Sequence, residues 1–218
     1  MALVLCLHGL GGSAATMAPI AAGLVAAGHE VILPTLPGHG GSPEDLLDAT
    51  WADWLFAAEA SRAAIVIGQS MGAGLALALG ARGLCRAIVA INPLAPDPDA
   101  LDGLEWRRER GVEWIEVAPS TVGEDALDRL PISALIAMTE GIASIDMHKV
   151  SCPVLIVTSE NDDIVDPANS DVIASLISGP VERMRLEASG HVASLDVERA
   201  AVVTATLDFI ARLPALVK

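Results

Sequence analysis

The sequence predicts an α/β protein in which a mostly parallel sheet is flanked by helices. Two observations indicate this fold class. Six short runs rich in β-branched and other apolar residues recur along the 218 residues, and segments with helical spacing separate them. This alternation is typical of a parallel sheet, because a crossover helix must return the chain to the edge where the next strand starts. The predicted strands are residues 3–7, 30–34, 64–67, 87–91, 154–158 and 181–186.

Three helices can be placed around these strands. Residues 16–27 are alanine-rich and are followed by a glycine, which suits a helix C-terminus. Thr50 and Asp53 have the spacing of a helix start, and the apolar stripe that follows places Trp54 in the core. The last helix is predicted over residues 196–213, packed against the sheet.

A strand turns directly into a helix at residues 68–72, which read G-Q-S-M-G. Such a turn is tight, so Ser70 at its apex is expected to have a strained backbone and a side chain that projects out of the sheet. Small residues two positions before and after Ser70 let the strand and helix pass without a clash. The helix N-terminus also offers N–H groups to a developing oxyanion. The pattern predicts a nucleophilic serine, although five residues alone can arise by chance.

A nucleophilic serine needs a general base, and the base needs a carboxylate that orients it. Asp162, Asp163 and Asp166 follow the fifth predicted strand, and His191 follows the sixth. The carboxyl ends of parallel strands meet at one edge of the sheet, so these groups are expected to lie near Ser70. Asp162 is nearest the strand end and can point back toward the histidine. Asp163 is the alternative on loop geometry, and Asp166 also competes.

Two backbone N–H groups are predicted to form an oxyanion hole. Met71 directly follows the candidate nucleophile and supplies the first. The run H-G-L-G-G at residues 8–12 follows the first strand, and its glycines allow the backbone to curl so that the Leu10 N–H faces Ser70. A phosphate-binding loop is the alternative for this run, but both the spacing G-x-G-x-x-G and a Walker lysine are missing.

Composition argues against several classes of function. The formal net charge of −15 disfavours nucleic acid and anionic lipid as partners and favours a small neutral substrate. The three cysteines are widely spaced and the histidines form no ligand cluster, so we predict neither a metal nor a cofactor. The apolar runs end before the roughly 18 to 20 residues of a membrane span, and the N-terminus lacks signal-peptide features. We expect a cytoplasmic protein without stable membrane insertion, either a monomer or a small homo-oligomer.

Jointly, five motifs resemble those of the α/β-hydrolase superfamily and cover nearly the whole chain. They are H-G-L-G-G at 8–12, L-P-G-H-G at 36–40, G-Q-S-M-G at 68–72, Asp162-x-x-Val165, and S-G-H-V at 189–192. The closing G-H-V-A-S-L-D and the spacing resemble the bacterial carboxylesterase and monoacylglycerol lipase branch. The resemblance implies that Asp162, three residues before Val165, is the acid. The sequence starts at the strand before His8, without the N-terminal antiparallel strands of many relatives, which leaves the sheet size open.

The resemblance implies a serine esterase that cleaves neutral short-to-medium acyl esters or monoacylglycerols through an acyl-enzyme. Ser70 would attack the carbonyl, His191 would transfer the proton and Asp162 would hold His191. A thioesterase or a C–C bond hydrolase could use the same triad, and a ligand-sensing protein with slow turnover is the alternative from another class. Dehalogenases and epoxide hydrolases are disfavoured, because they carry Asp where this chain has Ser70.

Residues 93–149 interrupt the alternation of strands and helices. Long excursions between sheet strands are often functional lids, so we predict a cap within one domain of residues 1–218. Its apolar helical piece is residues 132–145. For Asp128, just before it, the favoured interpretation is a solvated acidic helix face, and the alternative is a contact with the alcohol moiety of a glyceride. Four side chains of the helical piece are expected to form the acyl-facing wall: Ile132, Leu135, Ile136 and Met138.

Overall fold

A computed structural model describes residues 1–214, so the last four residues of the predicted domain, 215–218, lie outside the described residues. The strands are β1 (Leu3–Leu7), β2 (Glu30–Ile32), β3 (Ile65–Gln69), β4 (Ala87–Ile91), β5 (Trp114–Glu116), β6 (Arg129–Pro131), β7 (Val154–Ser159) and β8 (Val181–Leu186). Six of them form a parallel sheet in the order β2-β1-β3-β4-β7-β8, and β5 pairs with β6 in an antiparallel hairpin. The α/β class with a mostly parallel sheet is confirmed.

Helices cover both faces of the sheet. They are α1 (Ala18–Ala26), α2 (Trp51–Glu59), α3 (Met71–Ala81), α4 (Pro98–Glu109), α5 (Ile132–Ala143), α6 (Asn169–Leu176) and α7 (Arg199–Arg212). Side chains of β1 alternate between the faces, as strand geometry requires. Leu5 and Leu7 belong to the apolar core on the side of α2, α3, α5 and α6, whereas Val4 and Cys6 belong to the core on the side of α1 and α7.

The predicted elements differ from the structure mainly at their ends. The second strand stops at Ile32 rather than at residue 34. The helix predicted over 16–27 is a 3-10 turn, Ala14–Met17, followed by α1, and the Ser13 hydroxyl caps that turn. The last helix, predicted from residue 196, begins at Arg199. Trp54 is fully buried, as predicted.

Residues 93–149, called the cap below, contain α4, the β5–β6 hairpin and α5. Helix α4 packs against α5, and α5 packs against α2 and α3. The hairpin was not predicted. Its Arg129 lies over the Trp114 ring, 4.7 Å from the ring centroid, and forms an ion pair with Glu44 outside the cap. The cap is therefore attached to the sheet domain through both a helix and a hairpin.

Within residues 1–214, no helix is both long and apolar enough to cross a membrane.

Candidate active site

Ser70 occupies the turn between β3 and α3. Its backbone angles, φ 56° and ψ −120°, lie in a region that residues with a Cβ rarely adopt. The Ser70 N–H donates to the Ile91 carbonyl at 2.9 Å, and the Ser70 carbonyl accepts from the Ala73 N–H at 2.9 Å. These bonds to the neighbouring strand and to the following helix hold the strained turn in place.

Two glycines make this turn possible. A Cβ on Gly68 would lie 2.0 Å from the Gly72 carbonyl oxygen, and a Cβ on Gly72 would lie 2.4 Å from the Leu7 carbonyl oxygen. Both distances are far below van der Waals contact, so neither position accepts any side chain. The small residues around Ser70 are therefore required by backbone packing.

His191 and Asp162 form a hydrogen-bonded pair at the carboxyl edge of the sheet. His191 Nδ1 lies 2.8 Å from Asp162 Oδ2, and Asp162 Oδ1 accepts the N–H groups of Ile164 and Val165 at 2.9 and 2.8 Å. The Asp162 side chain is 2% exposed and that of His191 13% exposed. Asp163 is exposed and not paired with His191, and Asp166 is exposed and caps its own turn through the Ala168 N–H. Of the three candidate aspartates, Asp162 is the one that the structure brings to His191.

Side chains from the neighbouring strand ends hold the histidine loop, residues 187–194. Asn92 follows β4, donates to the His191 carbonyl at 2.8 Å and accepts the Ser159 N–H at 2.8 Å. Gln69, the residue before Ser70, accepts the Ser194 N–H at 3.1 Å. The position of His191 is thereby tied to the ends of β3, β4 and β7.

Two carboxylates hold the same loop from its other side. Glu198 accepts hydrogen bonds from the Ser189 hydroxyl at 2.8 Å and from the N–H groups of Ala188 and Ser189 at 2.9 and 2.8 Å. These bonds, that of the hydroxyl foremost, hold the pKa of Glu198 below its ordinary value. Asp196 accepts the Gly190 N–H at 2.8 Å. Neither carboxylate was predicted from the sequence.

Residues 9–12, called the oxyanion loop below, lie directly against Ser70. A Cβ on Gly9 would be 3.2 Å from the Ser70 Cβ and 3.7 Å from its Oγ. The loop is a turn closed by the Gly12 N–H to the Gly9 carbonyl at 3.2 Å, with Gly11 at φ 77°. On the other side of Ser70, Met71 is the first residue of α3, where helix N–H groups have no partner within the helix.

His8 supports the oxyanion loop from below. Its Nε2 accepts the Leu36 N–H at 3.0 Å, so its Nδ1 carries the hydrogen that is donated to the Gly9 carbonyl at 2.8 Å. Burial lowers the pKa of His8 to about 4; the bond to Gly9 raises it in part, and His39 lowers it further. His39 packs edge-on against the His8 ring, with centroids 4.9 Å apart. Both histidines therefore shape loops.

The five cap residues predicted to contact substrate differ in their solvent exposure. Ile132, Ile136 and Met138 are buried, Leu135 is half-buried against the core, and Asp128 is exposed. A cavity of about 250 Å³ lies next to the loop that carries Asp162. Its apolar lining includes Leu94, Ala95, Ile142, Ile164 and Val165. The acyl-facing role of the four α5 residues and the role of Asp128 stay predictions.

Glu124 is the cap carboxylate that reaches the oxyanion loop. Its Oε1 accepts the Thr16 hydroxyl at 2.9 Å and would lie 3.0 Å from a Cβ on Gly12. Burial raises the pKa of Glu124, while the Thr16 hydroxyl and the nearby His191 lower it in part. The sequence offers several acidic residues between 113 and 128, and no spacing distinguishes this one.

Metal ligands do not cluster in the described chain. Within residues 1–214 no group of three or more His, Cys, Asp or Glu side chains is arranged to hold a metal ion.

Comparison with known proteins identifies the family. The profile of the Alpha/beta hydrolase family matches residues 4–206. The chain belongs to this family. This alpha/beta hydrolase is 32% identical over 226 residues to the thermostable monoacylglycerol lipase of Bacillus sp. (strain H-257), with 96% of this chain and 90% of the relative covered. It is 23% identical to the carboxylesterase of Bacillus subtilis (strain 168), over 96% of this chain and 92% of the relative.

A solved structure of similar shape agrees with this assignment. It comes from work on LipS and LipT, two metagenome-derived lipolytic enzymes, and superposes on this alpha/beta hydrolase with a TM-score of 0.88. The sequences are 29% identical, and the match covers 97% of this chain and 94% of the other. The two relatives and this structure thus comprise a monoacylglycerol lipase, a carboxylesterase and a lipolytic enzyme.

Proposed function

We propose that this alpha/beta hydrolase is a serine esterase that cleaves neutral carboxylic esters, either short-to-medium acyl esters or monoacylglycerols. The observation that carries the proposal is the His191–Asp162 pair, 2.8 Å apart and mostly buried, at the sheet edge where the strained turn presents Ser70. The monoacylglycerol lipase and carboxylesterase relatives support ester hydrolysis. The side-chain pair and the two relatives together favour ester cleavage over a purely binding role.

The proposed reaction uses side chains and backbone groups of this chain alone. Asp162 occupies Nδ1 of His191, so Nε2 is the nitrogen that takes the proton as the Ser70 oxygen attacks the ester carbonyl. The N–H groups of Leu10 and Met71 would stabilise the oxyanion of the tetrahedral intermediate. His191 then returns the proton to the leaving alcohol, and water attacks the acyl-enzyme by the same route.

The charge of the chain supports a neutral substrate. The formal net charge is −15. An anionic substrate would therefore meet electrostatic repulsion at long range. Cytoplasmic location and a monomeric or small homo-oligomeric state stay predictions.

The experiment that tests the function is hydrolysis of a p-nitrophenyl ester series from acetate to palmitate, beside monoacylglycerols and an acyl thioester of matched chain length. We expect kcat/KM to be highest for a short-to-medium acyl ester or a monoacylglycerol, and the thioester to be a poorer substrate. A thioester preferred over the matched ester would move the assignment to a thioesterase. Negligible turnover of all substrates would favour the ligand-sensing alternative.

The cavity next to the Asp162 loop is the proposed site of the acyl chain. Ile164 lines it and is 69% exposed, so Ile164→Asp adds a charge there with little effect on folding. We expect KM to rise about tenfold for octanoate and much less for acetate, because an apolar chain would meet a carboxylate. Val197→Asp is the matched control, since Val197 is equally exposed and does not line the cavity. Equal effects of Ile164→Asp on both esters would remove the acyl chain from this cavity.

A further inference from the structure

The cap touches the oxyanion loop through a short segment, residues 124–130. The Leu127 N–H donates to the Gly11 carbonyl at 2.9 Å. Glu124 accepts the hydroxyl of Thr16, a fully buried residue in the 3-10 turn that follows the loop. One backbone bond therefore joins the cap to the loop, and one side-chain bond joins it to the turn that follows the loop.

The same segment leaves no free space above the loop glycines. A Cβ on Gly11 would lie 2.8 Å from Leu130 Cδ2, and a Cβ on Gly12 would lie 3.0 Å from Glu124 Oε1 and 3.2 Å from Thr16 Oγ1. The Thr16–Glu124 bond thus passes directly over Gly12. Cap and loop are in van der Waals contact as well as hydrogen-bonded.

The loop needs an external restraint because of its composition. Three of its four residues are glycine, which has the largest backbone freedom of any residue, and Gly11 has a positive φ. An oxyanion donor works only when it is preorganised, and a displacement of about 1 Å can cost about a hundredfold in rate. His8 restrains the Gly9 carbonyl from below, whereas the cap segment restrains Gly11 and Gly12 from above.

We propose that residues 124–130 of the cap position the oxyanion loop, with Glu124 as a positioning residue whose bond to Thr16 keeps the Leu10 N–H in place for catalysis. The proposal rests on the proposed function and deepens it. The cap thereby contributes indirectly to transition-state stabilisation, because it holds the backbone N–H that would bind the oxyanion. The cap acts on Ser70 chemistry even for esters too small to touch it.

The test uses a substrate and an inhibitor that carry only short acyl or alkyl groups. We compare Glu124→Ala, Glu124→Gln and Thr16→Val by steady-state hydrolysis of p-nitrophenyl acetate and by the second-order rate of phosphorylation of Ser70 by diethyl p-nitrophenyl phosphate. Glu116→Ala is the matched control, because Glu116 is an exposed cap glutamate on β5. Far-UV circular dichroism and the thermal midpoint establish that each variant is folded.

We expect Glu124→Ala and Thr16→Val to lower kcat roughly tenfold to a hundredfold with KM within about threefold, and to slow phosphorylation to a similar extent. Glu124→Gln should retain activity within about threefold, because its amide oxygen can accept the same hydroxyl. Glu116→Ala should leave both rates unchanged. Thr16→Val removes the same bond with a nearly isosteric side chain, so it decides the question if Glu124→Ala does not fold.

Two results would overturn the proposal. If folded Glu124→Ala and Thr16→Val hydrolyse and react like the parent enzyme, the cap does not position the loop. If the loss with Glu124→Ala is confined to the KM of monoacylglycerols, Glu124 contacts the substrate instead. Failure of the proposed function itself is distinguishable, because the parent enzyme would then neither hydrolyse p-nitrophenyl acetate nor be phosphorylated at Ser70.

Discussion

At the scale of single residues, Asp162 divides its two oxygens between two tasks. Oδ2 meets His191 Nδ1, and Oδ1 accepts two backbone N–H groups of its own loop. The carboxylate is therefore fixed by the loop before it orients the histidine. This division explains why one aspartate among three neighbours is suited to the role.

The first prediction compares Asp162→Asn with Asp163→Asn. An amide at 162 keeps the shape but favours the wrong tautomer of His191 and removes the charge that stabilises its protonated form. We expect kcat/KM for p-nitrophenyl butyrate to fall about 10³- to 10⁴-fold in Asp162→Asn. Asp163 is exposed, so Asp163→Asn should stay within about twofold. The opposite ranking would transfer the role to Asp163.

The residues of the proposed triad carry the clearest sequence patterns. The turn at Ser70 was predictable because a side chain at position 68 or 72 would clash with the backbone, so both positions must be glycine and the sequence shows the motif G-Q-S-M-G. Asn92 and Glu124 were not predictable, because their hydrogen-bond partners are distant in sequence. Asn92 bonds to residues at least 67 positions away, and Glu124 bonds to a residue 108 positions away. An asparagine or glutamate in a loop carries no local mark of such a distant partner.

At the scale of elements, the cap is fixed to the sheet domain by helix α5. The Trp51 ring of α2 packs directly on Gly141, where a Cβ would lie 2.0 Å from Trp51 Cδ2. Helix α5 can approach α2 this closely because the position lacks a side chain. Gly103 in α4 offers a contrast, since a Cβ there would have no neighbour within 4 Å.

The second prediction compares Gly141→Ala with Gly103→Ala. Alanine is the better helix former by up to about 1 kcal/mol, so Gly103→Ala should be neutral or slightly stabilising. Gly141→Ala must displace the Trp51 ring, and overpacking of this kind costs about 1 to 3 kcal/mol. Urea unfolding followed by circular dichroism measures both free energies. A stabilised Gly141→Ala would show that α5 is not packed against α2 in this way.

The cap was also the least predictable element. The length of the excursion indicated an insertion between two sheet strands, and its apolar spacing indicated helix α5. The hairpin could not be predicted, because β5 and β6 have three residues each and show no clear period-2 pattern. Three of the four predicted wall residues are buried, because the apolar face of α5 packs on the core.

At the scale of the whole molecule, acid should weaken the fold through its buried histidines. His8 stays neutral in the folded chain down to a pKa of about 4, whereas a histidine in the unfolded chain takes up a proton near 6.5. Between these values the unfolded chain binds more protons, so stability falls as pH falls. Burial also lowers the pKa of His39, which acts in the same direction.

The third prediction is a loss of unfolding free energy between pH 7 and pH 5. The His8 contribution to this loss is about 2 kcal/mol, from the separation of its folded and unfolded pKa values. Urea unfolding at both pH values measures it. In His8→Gln the fall in unfolding free energy between pH 7 and pH 5 should be smaller by about 2 kcal/mol. His148 is exposed, so His148→Gln should show the same fall as the parent protein. An unchanged pH dependence in folded His8→Gln would contradict the account.

The architecture of the molecule was predictable because alternation of strands and helices leaves few ways to build a parallel sheet. Each of the six predicted strands is present, with boundaries shifted by up to two residues. The sheet order follows from tertiary packing, which local patterns do not encode. The carboxyl edge then collects Ser70, Asp162 and His191 from three loops far apart in sequence.

The most direct test of the central claim is the effect of Ser70→Ala on ester hydrolysis, measured as kcat/KM for p-nitrophenyl butyrate beside labelling by a fluorophosphonate. We predict a loss of about 10⁴-fold or more with an unchanged unfolding midpoint, and a label found on the parent peptide that contains Ser70 and absent from the variant. A folded Ser70→Ala enzyme that keeps more than about a tenth of the activity would contradict the assignment of Ser70 as the nucleophile.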